Sequence, residues 1–468
     1  MKRVIRGFQN TIVFFLKLCL FAGLFAIFYL LFSIPNWQLL RFSRTAGVTI
    51  LTFISVGLAM LAAYGHYDIG KRKSKPIIYS LGLAVVITDI VTYLQLSIMN
   101  TNEARNKTFV LENLGLLFLI IVLQIIYIIF MTYFGNYIYF KINKPEKCCL
   151  ITSSQESLDQ IYRGINKYKL QYNIKDVVDY RAHDLYKRIA VCDTVFIYDV
   201  PYDVRIPIVE YCYKLMKNIY FNPEIFDVIE LNAKHVILDD ISMVCAHVKE
   251  LSLEQRIIKR LMDIVFALVS LIVSSPIWLI CAIAIKHNDG GKILFKQKRA
   301  TKNGKIFEVY KFRTMKENVQ NYSAISDDDR ITSVGKVLRK LRIDELPQIL
   351  NILKGDMSTV GPRPEMLKNV CDYTEALPEF AYRLRVKAGL TGYAQIAGKY
   401  NTSPKDKLIL DLMYIENYSI WRDIKLILQT LIVFFKSDST EAFGEKYQTE
   451  FQLYKNKLEN KAENKNEK

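Results

Sequence analysis

Histidine is scarce in this chain: five among 468 residues, spread singly, so a histidine-based metal site is not expected. The eight cysteines show no metal-ligand spacing and no disulfide framework, although Cys148 and Cys149 adjoin. A reducing, cytosol-facing location fits that usage. Acids are in deficit, 46 against 63 basic residues, for a net charge of +17. Such an excess suits anionic lipid, phosphate-bearing substrates or nucleic acid. No small-residue cleavage site follows the first apolar run, and Lys17 lies inside it, so it reads as a retained span rather than a removed leader. Apolar residues are abundant: 51% of the chain is hydrophobic and mean hydropathy is positive, which points to membrane segments.

Four apolar stretches, at 11–34, 46–64, 76–99 and 111–133, each approach the ~20 residues a helix needs to cross the hydrocarbon core. Short-loop cations orient them. Lys2, Arg3 and Arg6 precede the first, Lys71, Arg72, Lys73 and Lys75 follow the second, and Lys141, Lys144 and Lys147 follow the fourth. The other two loops hold only Arg41 and Arg44, then Arg105 and Lys107. Both ends of this four-helix transmembrane bundle (1–140) are therefore expected on the cytoplasmic side. Asp89, inside the third stretch, is either functional or paired with a neighbouring helix. Residues 141–250 alternate short apolar runs with helical ones, "CCLIT", "DVVDY", "VCDTVFIYDV" and "HVILDD", which predicts a small α/β, Rossmann-like domain. Its first strand is followed by Thr152, Ser153, Ser154 and Gln155, with no glycine. A dinucleotide is not expected there, because its phosphates could not approach that backbone closely.

A fifth apolar stretch, 264–285, carries Ser274, Ser275 and Pro276 at its middle. Arg256, Lys259 and Arg260 precede it and Lys286 follows. Positive flanks on both sides conflict with a simple crossing. They fit a re-entrant helix (262–286) that breaks at Ser275-Pro276, with the freed backbone groups met by the serines or neighbouring protein; the alternative is a kinked spanning helix. From 251 to 440 the chain reads as a mixed, mainly α domain. It ends in "SIWRDIKLILQTLIVFF", a surface amphipathic helix or a core helix. The charged segment 441–468 is expected to be disordered.

Within this domain, "LRIDELPQILNILKGD" sets Asp344 and Glu345 side by side ahead of an apolar stripe, Leu346, Ile349, Leu350 and Leu353, that closes at Lys354-Gly355. Asp344 reads as an N-cap, with Glu345 and Pro347 in the first turn. A helix N-terminus favours anions and would keep the acid ionised, as a nucleophile must be. Cationic clusters surround the pair in sequence: Arg339 and Arg342 before it, Arg363 between Pro362 and Pro364 after it, and Lys296, Lys298, Arg299, Lys311 and Arg313 upstream. Strand alternation in "VYKFRTM" would put Lys311 and Arg313 on one face. Cations around an acid pair describe a phosphate site, and a carboxylate beside a diphosphate invites Mg²⁺. "SDDDR" (326–330) is a competing acidic cluster, and "KAGLTGYAQIAGK" (387–399) is a candidate closing loop.

In this order, "KRLMDIVFALVSLIVSSPIW", "LFKQKRATKNGKIFEVYKFRTM", "DDDRITSVGKVLRKLRIDELPQILNILKGDMSTVGPRPE" and "VKAGLTGYAQIAGK" resemble the bacterial sugar transferases, the monotopic phosphoglycosyl transferases of exopolysaccharide, capsule and O-antigen synthesis. The N-terminal spans and the α/β segment resemble the large members. The resemblance implies transfer of sugar-1-phosphate from a UDP-sugar to undecaprenyl phosphate, with release of UMP. It implies Asp344 as nucleophile and Glu345 as holder of Mg²⁺, with Arg339, Lys311, Arg313, Arg299, Arg363 and Lys399 binding phosphate or substrate and Ser275-Pro276 forming the helix break. The expected partners are lipid and sugar nucleotide, not nucleic acid, at the cytoplasmic face of the bacterial inner membrane, with surfaces left for a homodimer. Three departures stand out: Ala388 where the family has proline, Lys399 where it has arginine, and Asp329 where it has proline. Two rivals remain. One is a one-step polytopic transferase using 327–329 as its metal site; the other is a non-enzymatic membrane scaffold that binds sugar nucleotides.

Overall fold

The computed structural model describes residues 2–65, 67–103, 109–246, 250–317, 328–398 and 403–433. The chain forms two compact units, Met1–Asn222 and Pro223–Lys468. Lys399, Ser326, Asp327 and the charged segment 441–468 lie outside the described residues.

The first unit opens with four long helices, α1 (Lys2–Ser33), α2 (Arg44–Tyr64), α3 (Ser74–Glu103) and α4 (Leu114–Ile142), each long and apolar enough to cross a membrane. Their inward faces share a core of Leu24, Phe28, Phe32, Phe53, Leu81, Tyr93 and Ile120. Asp89, 0% exposed, meets α4 there: the Gln124 amide donates to its Oδ1 at 3.4 Å and to the Leu24 carbonyl at 2.9 Å. That is the neighbour-paired alternative for this acid.

The unit continues as β1 (Glu146–Thr152), α5 (Gln155–Ile165), β2 (Tyr172–Asp179), α6 (Leu185–Val191), β3 (Thr194–Tyr198), α7 (Tyr202–Lys214) and β4 (Asn218–Phe221). The strands make one parallel sheet in the order β2-β1-β3-β4. Where a glycine-rich turn would cradle phosphate, Ser153 and Ser157 donate to Asp199 Oδ2 at 3.0 and 2.6 Å. The chain's own carboxylate thus stands beside the switch point between β1 and β3, the usual ligand crevice of such sheets.

The second unit begins with α8 (Ile225–Glu230) and a hairpin, β5 (Lys234–Leu238) and β6 (Ile241–Cys245). It begins at Pro223 rather than near residue 250 because α8 buries Val228 among Phe380, Leu408 and Leu412, and Lys405 reaches Glu224 at 2.6 Å. Then come α9 (Leu253–Asp289), the hairpin β7 (Leu294–Ala300)–β8 (Ile306–Phe312), α10 (Ser333–Lys340), a 3-10 turn (Ile343–Glu345), α11 (Gln348–Lys354), β9 (Ser358–Val360), α12 (Leu367–Ala376), β10 (Gly389–Thr391), α13 (Tyr393–Ala397), α14 (Pro404–Glu416) and α15 (Ile420–Val433).

The 37-residue α9 organises the unit. Asp263, Ala267, Leu271, Ser274, Trp278, Cys281 and Ile285 recur at spacings of three and four, so they line one face. Ala267 and Leu271 pack with Val309, Ile349 and Ile352; Trp278, Cys281 and Ile285 pack with Phe312 and Leu338. The opposite face is bare and apolar, with Ile272 and Val273 72% and 73% exposed. Helical structure continues through Ser275 and Pro276, so the expected break is not a gap in the helix. The physical reason is local: proline cannot donate to the Ile272 carbonyl, and the Ser275 hydroxyl does so instead at 2.8 Å. The serine half of that expectation therefore holds. At the C-terminal end, α15 buries Asp423 and Leu426 and Thr430 bonds Thr391 at 2.5 Å, so its inner face belongs to the core.

A glycine fixes how α10 seats. A Cβ at Gly335 would stand 2.1 Å from the backbone oxygen of Thr314, a clash no side-chain motion relieves. Gly335→Ala should therefore cost about 1–3 kcal/mol, as small-to-large core changes do, read as a lowered denaturation midpoint.

Candidate active site

Arg342 enters the acid pair with φ 56°, a left-handed conformation uncommon for non-glycine residues. The chain then makes the single 3-10 turn Ile343–Glu345 before α11 starts at Gln348 behind Pro347. Asp344 is therefore not the N-cap of α11: no side-chain cap bond forms there, and the helix is only seven residues long. The turn is held by Ile343 and Leu346 on either side of the acids, which pack with Trp278, Phe312 and Leu338. The far end of α11 closes as the sequence predicts, at Gly355 with φ 89°. Arg260 donates to the Ile352 and Leu353 carbonyls at 2.6 and 2.7 Å, and Lys387 donates to Gly355 at 2.7 Å. Those cations satisfy the carbonyls a helix end leaves unpaired.

The two acids have different surroundings. Glu345, 20% exposed, accepts from Lys311 at 2.7 Å and from both ends of the Arg363 fork at 2.5 and 3.1 Å. Among the described residues, no hydrogen bond or ion pair falls on the Asp344 carboxylate. Burial pushes Asp344 up and the Glu345 charge adds to it, while Lys311, Arg339 and Arg363 only partly offset them; it rises to about 6. Burial also pushes Glu345 up, but Arg363 and Lys311 outweigh it and hold this acid well below its usual range. The expectation that the field of a helix N-terminus keeps Asp344 ionised is corrected in its cause: the acid precedes α11, and Lys311, Arg339 and Arg363, not a helix end, offset its burial.

The other expected residues divide. Lys311, on β8, and Arg363 reach the pair directly. Arg339, in the last turn of α10, donates through Nε to Thr314 Oγ1 at 2.9 Å and acts on Asp344 through its charge. Arg299 donates to the Pro364 carbonyl at 3.1 Å, supporting the segment that carries Arg363. Arg313 lies one residue past β8 and pairs with Glu317 at 2.8 Å. Its backbone N–H donates to the Ile293 carbonyl at 2.9 Å, next to the hairpin pair Leu294–Phe312. Lys399 is outside the described residues. Asp328, of the competing acidic cluster, is buried in a pair with Arg330, and among the described residues no group of three His, Cys, Asp or Glu could hold a metal. Mg²⁺ is usually held by one or two carboxylates plus non-protein oxygens, and Asp344 and Glu345 are two carboxylates side by side at this turn. They do not make a protein cage.

Gly389 and Gly392 of "KAGLTG" lie against Gly361. β10 pairs in parallel with β9, and a Cβ at Gly389 would stand 2.0 Å from Gly361 N, so they permit backbone contact beneath Arg363. Ala388 donates its N–H to Thr301 Oγ1 at 3.1 Å, a bond proline could not make. Several supporting residues give no local signal in sequence. Lys259 joins Asp423 at 2.6 Å, Tyr414 at 3.2 Å and the Val360 carbonyl at 3.1 Å. Asp263 accepts from Ser358 Oγ and Thr359 N at 3.0 and 2.8 Å. Glu365, Arg383, Lys407 and Asp411 form a second charged cluster behind Arg363. The one visible sign is a charge, Asp411, at a position that "LILDLMYI" otherwise keeps apolar.

The bacterial sugar transferase family model matches residues 254–437. A UDP-N-acetylgalactosamine-undecaprenyl-phosphate N-acetylgalactosaminephosphotransferase of Aeromonas hydrophila is 42% identical over 180 residues, 37% of this chain and 43% of that one. A UDP-glucose:undecaprenyl-phosphate glucose-1-phosphate transferase of Caulobacter vibrioides is 39% identical over 181 residues, 37% of this chain and 68% of that one. A galactosyl transferase, CpsE, of Streptococcus agalactiae serotype III is 32% identical over 343 residues, 65% of this chain and 75% of that one.

In metal-free protein, the infrared difference between wild type and Asp344→Asn should show a carboxyl that is neutral below and ionised above about pH 6. Glu345→Gln should move that midpoint down, because it removes a like charge and frees Lys311 and Arg363. An unmoved midpoint would contradict this division of charge.

Proposed function

The chain belongs to the bacterial sugar transferase family, and from that premise we propose that it moves sugar-1-phosphate from a UDP-sugar to undecaprenyl phosphate through Asp344. The observation that carries this reading is the asymmetry of the acid pair. Neighbouring acids driven apart in acidity divide a reaction's roles. Asp344 keeps its oxygens clear of cations and is mostly ionised at neutral pH, which suits a nucleophile. Glu345 is already committed to Lys311 and Arg363.

In the first step an Asp344 oxygen attacks the phosphorus bonded to the sugar. The P–O bond to the bridging oxygen breaks, and UMP leaves with that electron pair. In the second step a phosphate oxygen of undecaprenyl phosphate attacks the same phosphorus and the Asp344 carboxylate is released, giving undecaprenyl-diphosphate-sugar. Arg363, Lys311 and Arg339 stabilise charge on the phosphoryl oxygens in both steps. Glu345, exchanging part of its cation contact, would hold Mg²⁺ against the diphosphate; when bound, the ion supplies neutralisation at the leaving UMP.

The two-sided α9 supports re-entry at the cytoplasmic face of the bacterial inner membrane. A helix packed against one polar domain along its length cannot also cross the bilayer beside it, since that domain's charges would enter hydrocarbon. Its bare apolar face can lie in the near leaflet, which brings Asp344 to lipid-phosphate height.

Two measurements test the reading. Incubation with a UDP-sugar labelled at the β-phosphate, without lipid acceptor, should label the protein and release UMP in equal amount. Asp344→Asn should abolish both, and chelation of divalent ions should suppress them. Absence of the adduct together with full lipid transfer by Asp344→Asn would sink it. In inverted vesicles with native thiols blocked, cysteines placed at Arg256 and Lys286 should react with an impermeant reagent from the same side; labelling from opposite sides would show a spanning helix.

A further inference from the structure

The segment Pro362-Arg363-Pro364 has two prolines, so it offers only one backbone N–H and must be held mainly by its carbonyls. All three are engaged. Gly389 N donates to the Pro362 carbonyl at 2.8 Å, Arg383 Nη2 to the Arg363 carbonyl at 2.9 Å and Arg299 Nη1 to the Pro364 carbonyl at 3.1 Å. Arg383 is the one acting on the peptide of Arg363 itself. It is buried, stands over the Phe380 ring at 4.7 Å, pairs with Asp411 at 2.8 Å and lies 3.9 Å from Glu365. Lys407 supplies the second cation to Glu365 at 3.3 Å. An arginine in this position is fixed by its own partners before it fixes anything else. Its planar fork can serve an acid and a carbonyl together, which a lysine's single ammonium on a flexible stem does poorly.

The geometry points to Arg383 as a positioning residue for the transfer: it holds the backbone of Arg363 so that the Arg363 fork stays seated on Glu345. The inference rests on the phosphoryl-transfer reading above. It touches neither substrate nor the reacting atoms directly. Its effect should appear at the step where Arg363 stabilises charge, lowering kcat with KM for the UDP-sugar little changed.

The test is single-turnover labelling with the β-phosphate-labelled UDP-sugar in Arg383→Lys and Arg383→Gln, each made in wild type and in Arg363→Lys, with thermal midpoints recorded alongside. In the wild-type background both should slow labelling about ten- to a hundredfold, the scale of a misplaced catalytic group, with Arg383→Lys the milder. In the Arg363→Lys background the same changes should cost less than about twofold, because a residue acting through another loses its effect when that other is altered. Equal losses in both backgrounds overturn the inference. So does a wild-type kcat in both variants with only a lowered thermal midpoint, which is what a purely structural arginine would give. If Arg363→Lys labels too weakly to measure, kcat against KM in Arg383→Lys decides: a raised KM with unchanged kcat overturns it. Failure of wild type itself to label would strike the transfer reading instead, so the two failures are distinguishable.

Discussion

The catalytic unit depends on the pinning of one carboxylate, Glu345, by Lys311 and Arg363. Two adjacent acids in a half-buried turn repel, and in a medium of low effective dielectric that repulsion must be relieved by cations or protons. Here the cations go to one acid. Glu345 becomes a fixed negative charge, well below its usual range, and Asp344 is left with burial and a charged neighbour, at about 6. The asymmetry is set by direction of approach. β8 brings Lys311 and the proline-flanked segment brings Arg363 to the Glu345 side of the turn. A phosphate arriving at Asp344 then meets cations that are already in place and need little reorganisation.

The turn is placed by α9. Ile343 and Leu346 bracket the acids and pack where Trp278, Cys281 and Ile285 of α9 also pack, while α11 rests on Ala267 and Leu271. At its base the same helix offers Lys259 to the Val360 carbonyl, Arg260 to the end of α11 and Asp263 to Thr359. One helix thus fixes the strand before Arg363 and the turn carrying Asp344, and it presents a bare apolar face on its other side. The placing of Asp344 relative to that apolar face and the seating of Arg363 are therefore parts of the same packing.

The sequence made the acid pair, the proline-flanked arginine and the lysine of "YKF" legible as one site, because each motif is local and chemically distinctive. It could not say which acid takes which cation, because that depends on how β8 and the 363 segment approach the turn. Two local rules met their limits here. Strand alternation puts Arg313 at the very end of β8, where Phe312 is the last strand residue and only a single backbone bond, to Ile293, continues the hairpin. Helix capping was applied to Asp344, but the left-handed Arg342 inserts a 3-10 turn and delays the helix to Gln348. Arg383, Glu365, Lys407 and Asp411 come from separate elements, so no window of sequence contains the cluster. Ala388 is visible as a departure from the family pattern, whereas its partner Thr301, 87 positions away, is visible only in three dimensions.

The first unit shows the complementary case, a parallel sheet with one of the chain's own acids at its switch point. Its parallel sheet has the strand order and switch point that place ligands beyond β1 and β3. Yet the serines at that point donate to Asp199, whose backbone N–H in turn donates to Asn222 Oδ1 at 3.1 Å. A nucleotide phosphate entering there would meet the charge of a carboxylate where the usual crevice offers donors. The missing glycines and the resident acid therefore have the same consequence. In the second unit cations converge on an acid pair; at the switch point of the first unit hydroxyls converge on a lone acid instead.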